Sequence, residues 1–281
     1  MIIRHIIRTI KESAEPLYGL HEAESIARMV VCESFNYNLS QLVAHYDEDG
    51  EIANLDKIIA EISSGRPIQY ILGKAEFCEM EFEVAEGVLI PRPETEELVY
   101  HIVETTKRGA RILDIGTGSG AIAISLAKLI KGAEVVAVDI SEEALKIAKR
   151  NAEKIGANVE FVKADALGDL SHLGRFDIIV SNPPYIPESD RALMRPNVTE
   201  HEPDVALFVE DDDPLIFYRA IAQTARKVLK KEGRIYFEIY ESLVDKMVAM
   251  LECEGYADIV VREDFRGKPR MICARVSSIA R

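Results

Sequence analysis

Residues 111–127 constrain the fold of this chain more than any other stretch. Arg111-Ile112-Leu113-Asp114-Ile115 reads as a buried strand and Gly116-Thr117-Gly118-Ser119-Gly120 as a tight turn. The small and apolar residues Ala121-Ile122-Ala123-Ile124-Ser125-Leu126-Ala127 then open a helix. Three alternating glycines let the backbone approach a ligand closely, and the helix start offers unpaired N–H groups. The next strand, 134–138, ends at Asp139, 19 residues past Gly120. An acid in that position commonly takes ribose hydroxyls in doubly wound nucleotide-binding folds. Strand, glycine turn, helix, strand and acid in this order require a mostly parallel α/β sheet.

The glycine pattern also narrows the nucleotide. Dinucleotide sites read G-x-G-x-x-G, whereas this loop reads D-x-G-x-G-x-G. Asp114, two residues before the first glycine, would repel a pyrophosphate and favour a nearby cation. S-adenosylmethionine carries a sulfonium and an ammonium and no phosphate, so it is the expected cofactor, with S-adenosylhomocysteine as product. Gly116, Thr117, Gly118, Ser119 and Gly120 form the expected cradle, with Asp139 on the ribose. Asp165, after the strand at 159–162, stands where it would reach the adenine; the plainer reading is a solvated loop residue.

A fourth strand end carries the chemistry. The apolar run Phe176-Asp177-Ile178-Ile179-Val180-Ser181 is followed by Asn182-Pro183-Pro184-Tyr185. Two prolines cannot continue a ladder, so the strand stops and the loop is rigid. Asn182 is thereby held at the carboxyl end of a strand, where open α/β sheets bind ligands. The Asn182 side-chain oxygen and the Pro183 carbonyl would each accept one N–H of a planar NH2 group. Pro184 stiffens the turn, and Tyr185 would pack on the plane. A polar strand-ending turn is the simpler alternative for Asn-Pro alone. Asp114, Asp139, Asp165 and Asn182 in succession match the class I methyltransferase arrangement, a Rossmann-like sheet of seven mostly parallel strands.

More specific segments surround this core. Gly65-Arg66-Pro67-Ile68-Gln69-Tyr70-Ile71-Leu72-Gly73 and Gly87-Val88-Leu89-Ile90-Pro91-Arg92-Pro93-Glu94-Thr95-Glu96-Glu97-Leu98-Val99 resemble the HemK/PrmC family, the release factor glutamine N5-methyltransferases. The resemblance continues through 114–120, 181–187, Glu202-Pro203, Ala206-Leu207 and Tyr218-Arg219-Ala220-Ile221, and closes with Asp264, Gly267 and Arg270. It implies methyl transfer to the glutamine of the GGQ motif in class 1 peptide chain release factors, with Asn182, Pro183 and Tyr185 catalytic and Asn182 also touching the cofactor. A sister family methylates a glutamine of a ribosomal protein and typically carries Arg-Ser-Pro-Ile where this chain has Arg92-Pro93-Glu94-Thr95. Three positions depart from the family pattern. Tyr240 stands where a glycine often follows Glu238-Ile239, and 209–213 lacks the usual glycines; both are expected to alter loop shape alone. Ala166 replaces the aromatic that often stacks on adenine after the Asp165 position.

Adenine N6 and guanine N2 are also planar NH2 groups, so methylation of nucleic acid remains a competing reading. A base-flipping enzyme needs a basic groove. The chain of 281 residues carries a net charge of −14, and residues 1–66 hold six basic against eleven acidic side chains. No Lys/Arg run stands beside aromatics, which disfavours a direct nucleic-acid substrate. A non-catalytic adaptor would keep the fold but not the intact loop, Asp139 and Asn182. Six scattered histidines and four scattered cysteines (Cys32, Cys78, Cys253, Cys273) give no metal spacing. The cysteines are expected to be reduced and mostly packed. No run reaches membrane-span length, so the chain reads as a cytoplasmic protein without a membrane partner.

Apolar spacing predicts helices over 2–14, 21–35 and 52–63, broken at Pro16, Gly19, Asp49-Gly50 and Gly65. The expected domains are an N-terminal helical docking domain at 1–66, a β-hairpin linker at 67–90, and the methyltransferase domain at 91–281. Helices are expected near 94–107, 119–131, 141–155, 214–231 and 242–254. Late strands are expected at 234–239, 259–261 and 271–276, the closing pair leaving one antiparallel strand.

Overall fold

The computed structural model describes residues 1–277. Met1–Lys74 with Arg195–His201 form one compact unit, and Ala75–Met194 with residues 202–277 form the other. The division falls inside the segment expected to be a linker.

The first unit is built on α1 (Ile3–Phe35), α2 (Leu39–Ala44), α3 (Leu55–Ser63) and α4 (Ile68–Leu72). The break expected at Pro16 and Gly19 is a kink rather than a loop. Gly19 leaves helical geometry (φ 75°, ψ 168°), while helical bonding resumes directly after it. Ile3, Ile6, Ile7, Ile10, Val30 and Val31 are buried in this unit's core, the stripe that three- and four-residue spacing produces. Helix α2 was not among the expected helices. Its start is a capping box, since Asn38 Oδ1 accepts the Gln41 N–H (2.9 Å) and Gln41 Oε1 accepts the Asn38 N–H (2.9 Å). Arg195 reaches Glu22 of the same unit at 2.9 Å.

Apart from Lys74, the hairpin of β1 (Lys74–Phe77) and β2 (Met80–Glu83) lies in the second unit and opens it. Its two-residue turn places Cys78 and Glu79 at positive φ (49° and 61°), the primed geometry that suits strand twist. Then follow α5 (Pro93–Thr105), β3 (Arg111–Ile115), α6 (Ala121–Leu129), β4 (Glu134–Asp139), α7 (Glu142–Ile155), β5 (Val159–Lys163) and β6 (Phe176–Ser181). The short β7 (Ile186–Pro187) pairs with β8 (Phe208–Val209), while α8 (Pro196–Thr199) lies in the first unit. The chain ends with α9 (Ile216–Val228), β9 (Leu229–Glu238), α10 (Val244–Cys253), β10 (Tyr256–Glu263) and β11 (Pro269–Val276).

Seven strands lie in the order β10-β11-β9-β6-β3-β4-β5. β3, β4, β5, β6 and β9 run parallel, and β11 is antiparallel to both its neighbours. The expected single antiparallel strand is therefore β11. β3 and β6 are buried along nearly their whole length, which is why both read as continuous apolar runs. Tyr218, Ile221 and Phe237 belong to the core cluster that also holds residues of α9 and α10. Phe77, Phe82, Leu98 and Ile124 belong to a second one.

β9 starts at Leu229, so the helix expected to run to 231 ends at Val228. Leu229 is buried opposite Phe176, and Lys230 Nζ reaches Asp177 at 2.7 Å. A Lys-Lys pair suits an exposed last helical turn equally well, so only the pairing with β6 decides. All four cysteines are free; Cys78 and Cys273 are buried, but Cys253 is exposed and Cys32 half-buried, against the expectation of general packing. Among the described residues no helix is long and apolar enough to cross a membrane.

Candidate active site

Parallel strands deliver their carboxyl ends to one edge of the sheet, and the loop after β3 sits centrally there. The Gly116 and Thr117 N–H groups both donate to the Val138 carbonyl (2.9 and 3.0 Å), and Gly120 N–H donates to the Thr117 carbonyl (2.8 Å). Gly116, Gly118 and Gly120 all have positive φ (76°, 54° and 83°), a conformation other residues adopt at a cost. Their surroundings differ. A Cβ on Gly120 would fall 2.8 Å from Ile124 Cδ1 and 3.1 Å from Ala148 Cβ, so this glycine lets α6 pack on α7. A Cβ on Gly116 or Gly118 would meet nothing within 4 Å. These two glycines face open space.

Asp139, at the end of β4, is half-buried and joins the loop to the next helix. Its Oδ2 accepts the Gly118 N–H (2.8 Å) and its Oδ1 the Ser141 N–H (2.9 Å). The adjoining strand is drawn to the same edge, because Ala164 N–H donates to the Asp139 carbonyl (3.0 Å). Asp165 is exposed and accepts the Leu167 N–H at 2.9 Å, an Asx-type turn. Ala166 beside it is half-buried, and Ser119 is buried within the loop.

Asp114 is fully enclosed, not facing an open pocket. Its Oδ2 accepts the Thr117 hydroxyl (2.6 Å), and its Oδ1 makes no hydrogen bond. Burial pushes its carboxyl up to about 7, and the charge of Asp139 adds to the rise. The Thr117 hydroxyl and the helix-start N–H of Ala123 oppose it. The residue therefore braces the loop from beneath, and any influence on a cation would act through that loop.

Asn182 stands one residue past β6, and Ser181 Oγ ties that strand end to β3 by donating to the Ile115 carbonyl (2.6 Å). The Asn182 side chain is half-buried, and its amide has no hydrogen-bond partner among the described residues. Pro183 is buried and Pro184 half-buried. The following backbone is anchored, since the Tyr185 and Ile186 N–H groups both point to the Leu207 carbonyl (3.3 and 3.0 Å). The structure thus brings the glycine loop, Asp139, Asp165 and Asn182–Tyr185 to the same edge of the sheet.

Sequence reasoning missed a buried cluster behind Tyr185. Glu238, the last residue of β9, is 2% exposed. It accepts the Thr95 hydroxyl (2.6 Å) and the Tyr185 hydroxyl (3.1 Å), while Tyr218 donates to its backbone carbonyl (2.8 Å). Burial raises the Glu238 carboxyl, the two hydroxyls and Arg270 oppose the rise, and Glu94 adds to it. Burial, and then the Glu238 charge, push the Tyr185 phenol up. Tyr240, expected to change loop shape alone, stacks on Tyr185 at 5.9 Å and 17° and donates to Asp190 (2.9 Å). Glu202 is likewise buried and accepts from Ile90 N–H (3.1 Å) and Arg92 (2.5 Å). Asp264 collects the Arg266 and Lys268 N–H groups (2.9 and 3.0 Å) and Arg270 Nε (3.3 Å). These residues lay in the segments that carried the resemblance, but nothing local revealed what they touch.

Residues 9–73 match the PrmC N-terminal domain and residues 106–262 a methyltransferase domain. The release factor glutamine methyltransferase of Bacteroides thetaiotaomicron is 42% identical over 276 residues, covering 97% of this chain and 99% of its own. That of Bacillus subtilis is 37% identical over 286 residues, covering 98% and 99%. Among solved structures, the Thermus thermophilus 16S rRNA N2 G1207 methyltransferase RsmC, in complex with AdoMet and guanosine, superposes with a TM-score of 0.54. It is 21% identical and covers 72% of this chain and 49% of its own, a likeness of fold. The strand-end geometry and a near full-length match to relatives of one kind agree: the chain belongs to the release factor glutamine methyltransferase family.

Proposed function

We infer that the protein transfers a methyl group from S-adenosylmethionine to the N5 side-chain amide nitrogen of the GGQ glutamine in class 1 peptide chain release factors, in the cytoplasm. The observation that carries this reading is the unbonded Asn182 amide, held in a rigid turn beside an open glycine loop. The residues present suit the cofactor. Gly116 and Gly118 leave room where side chains would stand, and Asp139 offers a half-buried carboxylate beside them. Gly116 to Gly120 would hold the amino-acid end, Asp139 the ribose, and Asp165 with Ala166 the adenine. When bound, S-adenosylmethionine supplies an electrophilic methyl on a positively charged sulfur.

An amide nitrogen is a weak nucleophile because its lone pair is delocalised into the carbonyl. Asn182 Oδ1 and the Pro183 carbonyl each accept one amide N–H and thereby aim the nitrogen. Both acceptors favour the positive charge that develops on nitrogen as the methyl arrives. Tyr185 covers the amide plane and excludes water. Holding both reactants in near-attack geometry supplies roughly 7–11 kcal/mol in favourable cases. No base is required within the protein, because the N-methylated amide cation that forms is strongly acidic and loses one N–H proton to water. The helical residues 1–66 dock the protein substrate.

Relatives named for release factors favour this substrate over a ribosomal-protein glutamine, and a net charge of −14 disfavours adenine N6 or guanine N2 in a nucleic acid. Intact-mass measurement of a purified release factor incubated with the protein and S-adenosylmethionine is the test. One added methyl group, mapped to the GGQ glutamine, is expected. An unmodified release factor beside a methylated ribosomal protein or oligonucleotide would overturn the assignment.

A further inference from the structure

Glu238 poses a problem that stability does not explain. A carboxylate taken out of water is costly, and well-packed apolar replacements are often neutral or stabilising. Yet this one ends a central strand at 2% exposure. Its register explains what it can reach. Ser181 is level with Phe237 across the β6–β9 pair, so the next step brings Asn182 and Glu238 to the same strand-end edge. One hydroxyl comes to Glu238 from Thr95 on α5 and the other from Tyr185 in the loop after β6.

We propose that Glu238 and Tyr240 are positioning residues that hold the Tyr185 ring as the wall of the amide pocket. The inference rests on the functional reading above. Tyr185 packs against the core cluster of α9 and β9, and three further contacts restrain it: Glu238 on its hydroxyl, Tyr240 parallel to one ring face, and Leu207 on its backbone N–H. The other ring face has no aromatic or cationic partner among the described residues, and the side chain stays partly exposed. That face is where a planar amide packs. Each restraint is itself held. Thr95 occupies the second oxygen of Glu238, Tyr218 fixes its backbone carbonyl, and Asp190 takes the Tyr240 hydroxyl. A ring with one free χ rotation would shift by more than the tolerance of a near-attack geometry, whereas a ring tied at its tip and face does not.

The test compares Glu238→Gln, Tyr185→Phe, Tyr240→Ala and the Glu238→Gln/Tyr185→Phe pair in the full-length protein. Release factor methylation rates are read with S-adenosylhomocysteine affinity by calorimetry and melting temperature. Each single variant is expected to lower kcat on the order of tenfold or more, with KM for the release factor and cofactor affinity changed less than about twofold. The paired variant is expected to be no slower than the worse single one, because both changes remove the same restraint. Multiplying losses in the pair, or wild-type kcat in Glu238→Gln, overturns the proposal while the functional reading stands. If burial makes Glu238→Gln unstable, Tyr185→Phe decides alone, since it removes one oxygen, and unchanged kcat there overturns the proposal. A wild-type protein inert toward release factors overturns the functional reading and this inference with it.

Discussion

Asn182 leaves its amide unbonded within the protein, an arrangement that is tolerable only while water or a substrate supplies the partners. Asn182→Ala is expected to cut turnover a hundredfold or more, since losing one preorganised polar partner costs about 2.7–4 kcal/mol. Asn182→Asp keeps an acceptor oxygen and should retain more activity than Ala. Initial rates on a release factor check both, and wild-type rates in a folded Ala variant would sink the mechanism. Asp114 predicts a pH dependence of a definite sign. Its carboxyl stands near 7 in the folded protein against 3.8 when free, so the folded state binds that proton more tightly. This stabilisation is complete below the free value and is lost as pH rises through the folded one. Asp114→Asn lacks the effect, so its melting temperature should gain on wild type as pH rises from about 4 to about 7. A melting-temperature difference, variant minus wild type, that stays flat or falls over that window would refute the assignment.

At the scale of an element, the loop between β3 and α6 divides its glycines between two tasks. Gly118→Ala and Gly120→Ala share the backbone cost of positive φ, roughly 1–2 kcal/mol. Only Gly120→Ala adds a collision, with Ile124 and Ala148 on the α6–α7 contact. Gly120→Ala should therefore melt well below Gly118→Ala, by a further 1–3 kcal/mol or so of overpacking. Gly118→Ala should instead lose affinity for S-adenosylhomocysteine, because its new methyl points into open space that the ligand needs. Paired melts and calorimetry read the contrast; equal melting temperatures would show that the two glycines do not differ in this way. The glycine pattern was readable in the sequence. Which glycine packs and which one faces open space was not, because Ala148 is distant in the chain.

For the whole molecule, charge and unit organisation set the expectations. A net charge of −14 predicts no measurable methyl transfer to oligonucleotides at salt concentrations where a release factor is methylated readily. Labelled methyl groups entering RNA or DNA at comparable rates would reverse the substrate assignment. Removing the helical region tests docking. A chain beginning near Ile68, once its folding has been verified by a cooperative melt, should bind S-adenosylhomocysteine as the full chain does. It should also methylate the intact release factor more slowly. Full activity would remove the docking role. The folding check matters because Arg195–His201 belongs to the same unit as the N-terminal helices.

The strand-end series Asp114, Asp139, Asp165 and Asn182 was legible because each member follows its own apolar run, and period and punctuation are local properties of a chain. The parallel sheet with one antiparallel strand was legible for the same reason. Local signals were ambiguous at 229–231, where two lysines suit a helix end or a strand start, and only the partner Phe176 on β6 settles which. They were silent on Asp114, whose charge pointed to a cation until burial turned it into a brace for Thr117. They were also silent on the contacts among Thr95, Tyr185, Glu238 and Tyr240, which come from three separate segments. Sequence by itself determined where these strands end and which side chains stand there. Tertiary structure alone decided which of those groups are shut away from water, because burial is a property of neighbours that the chain brings together only on folding.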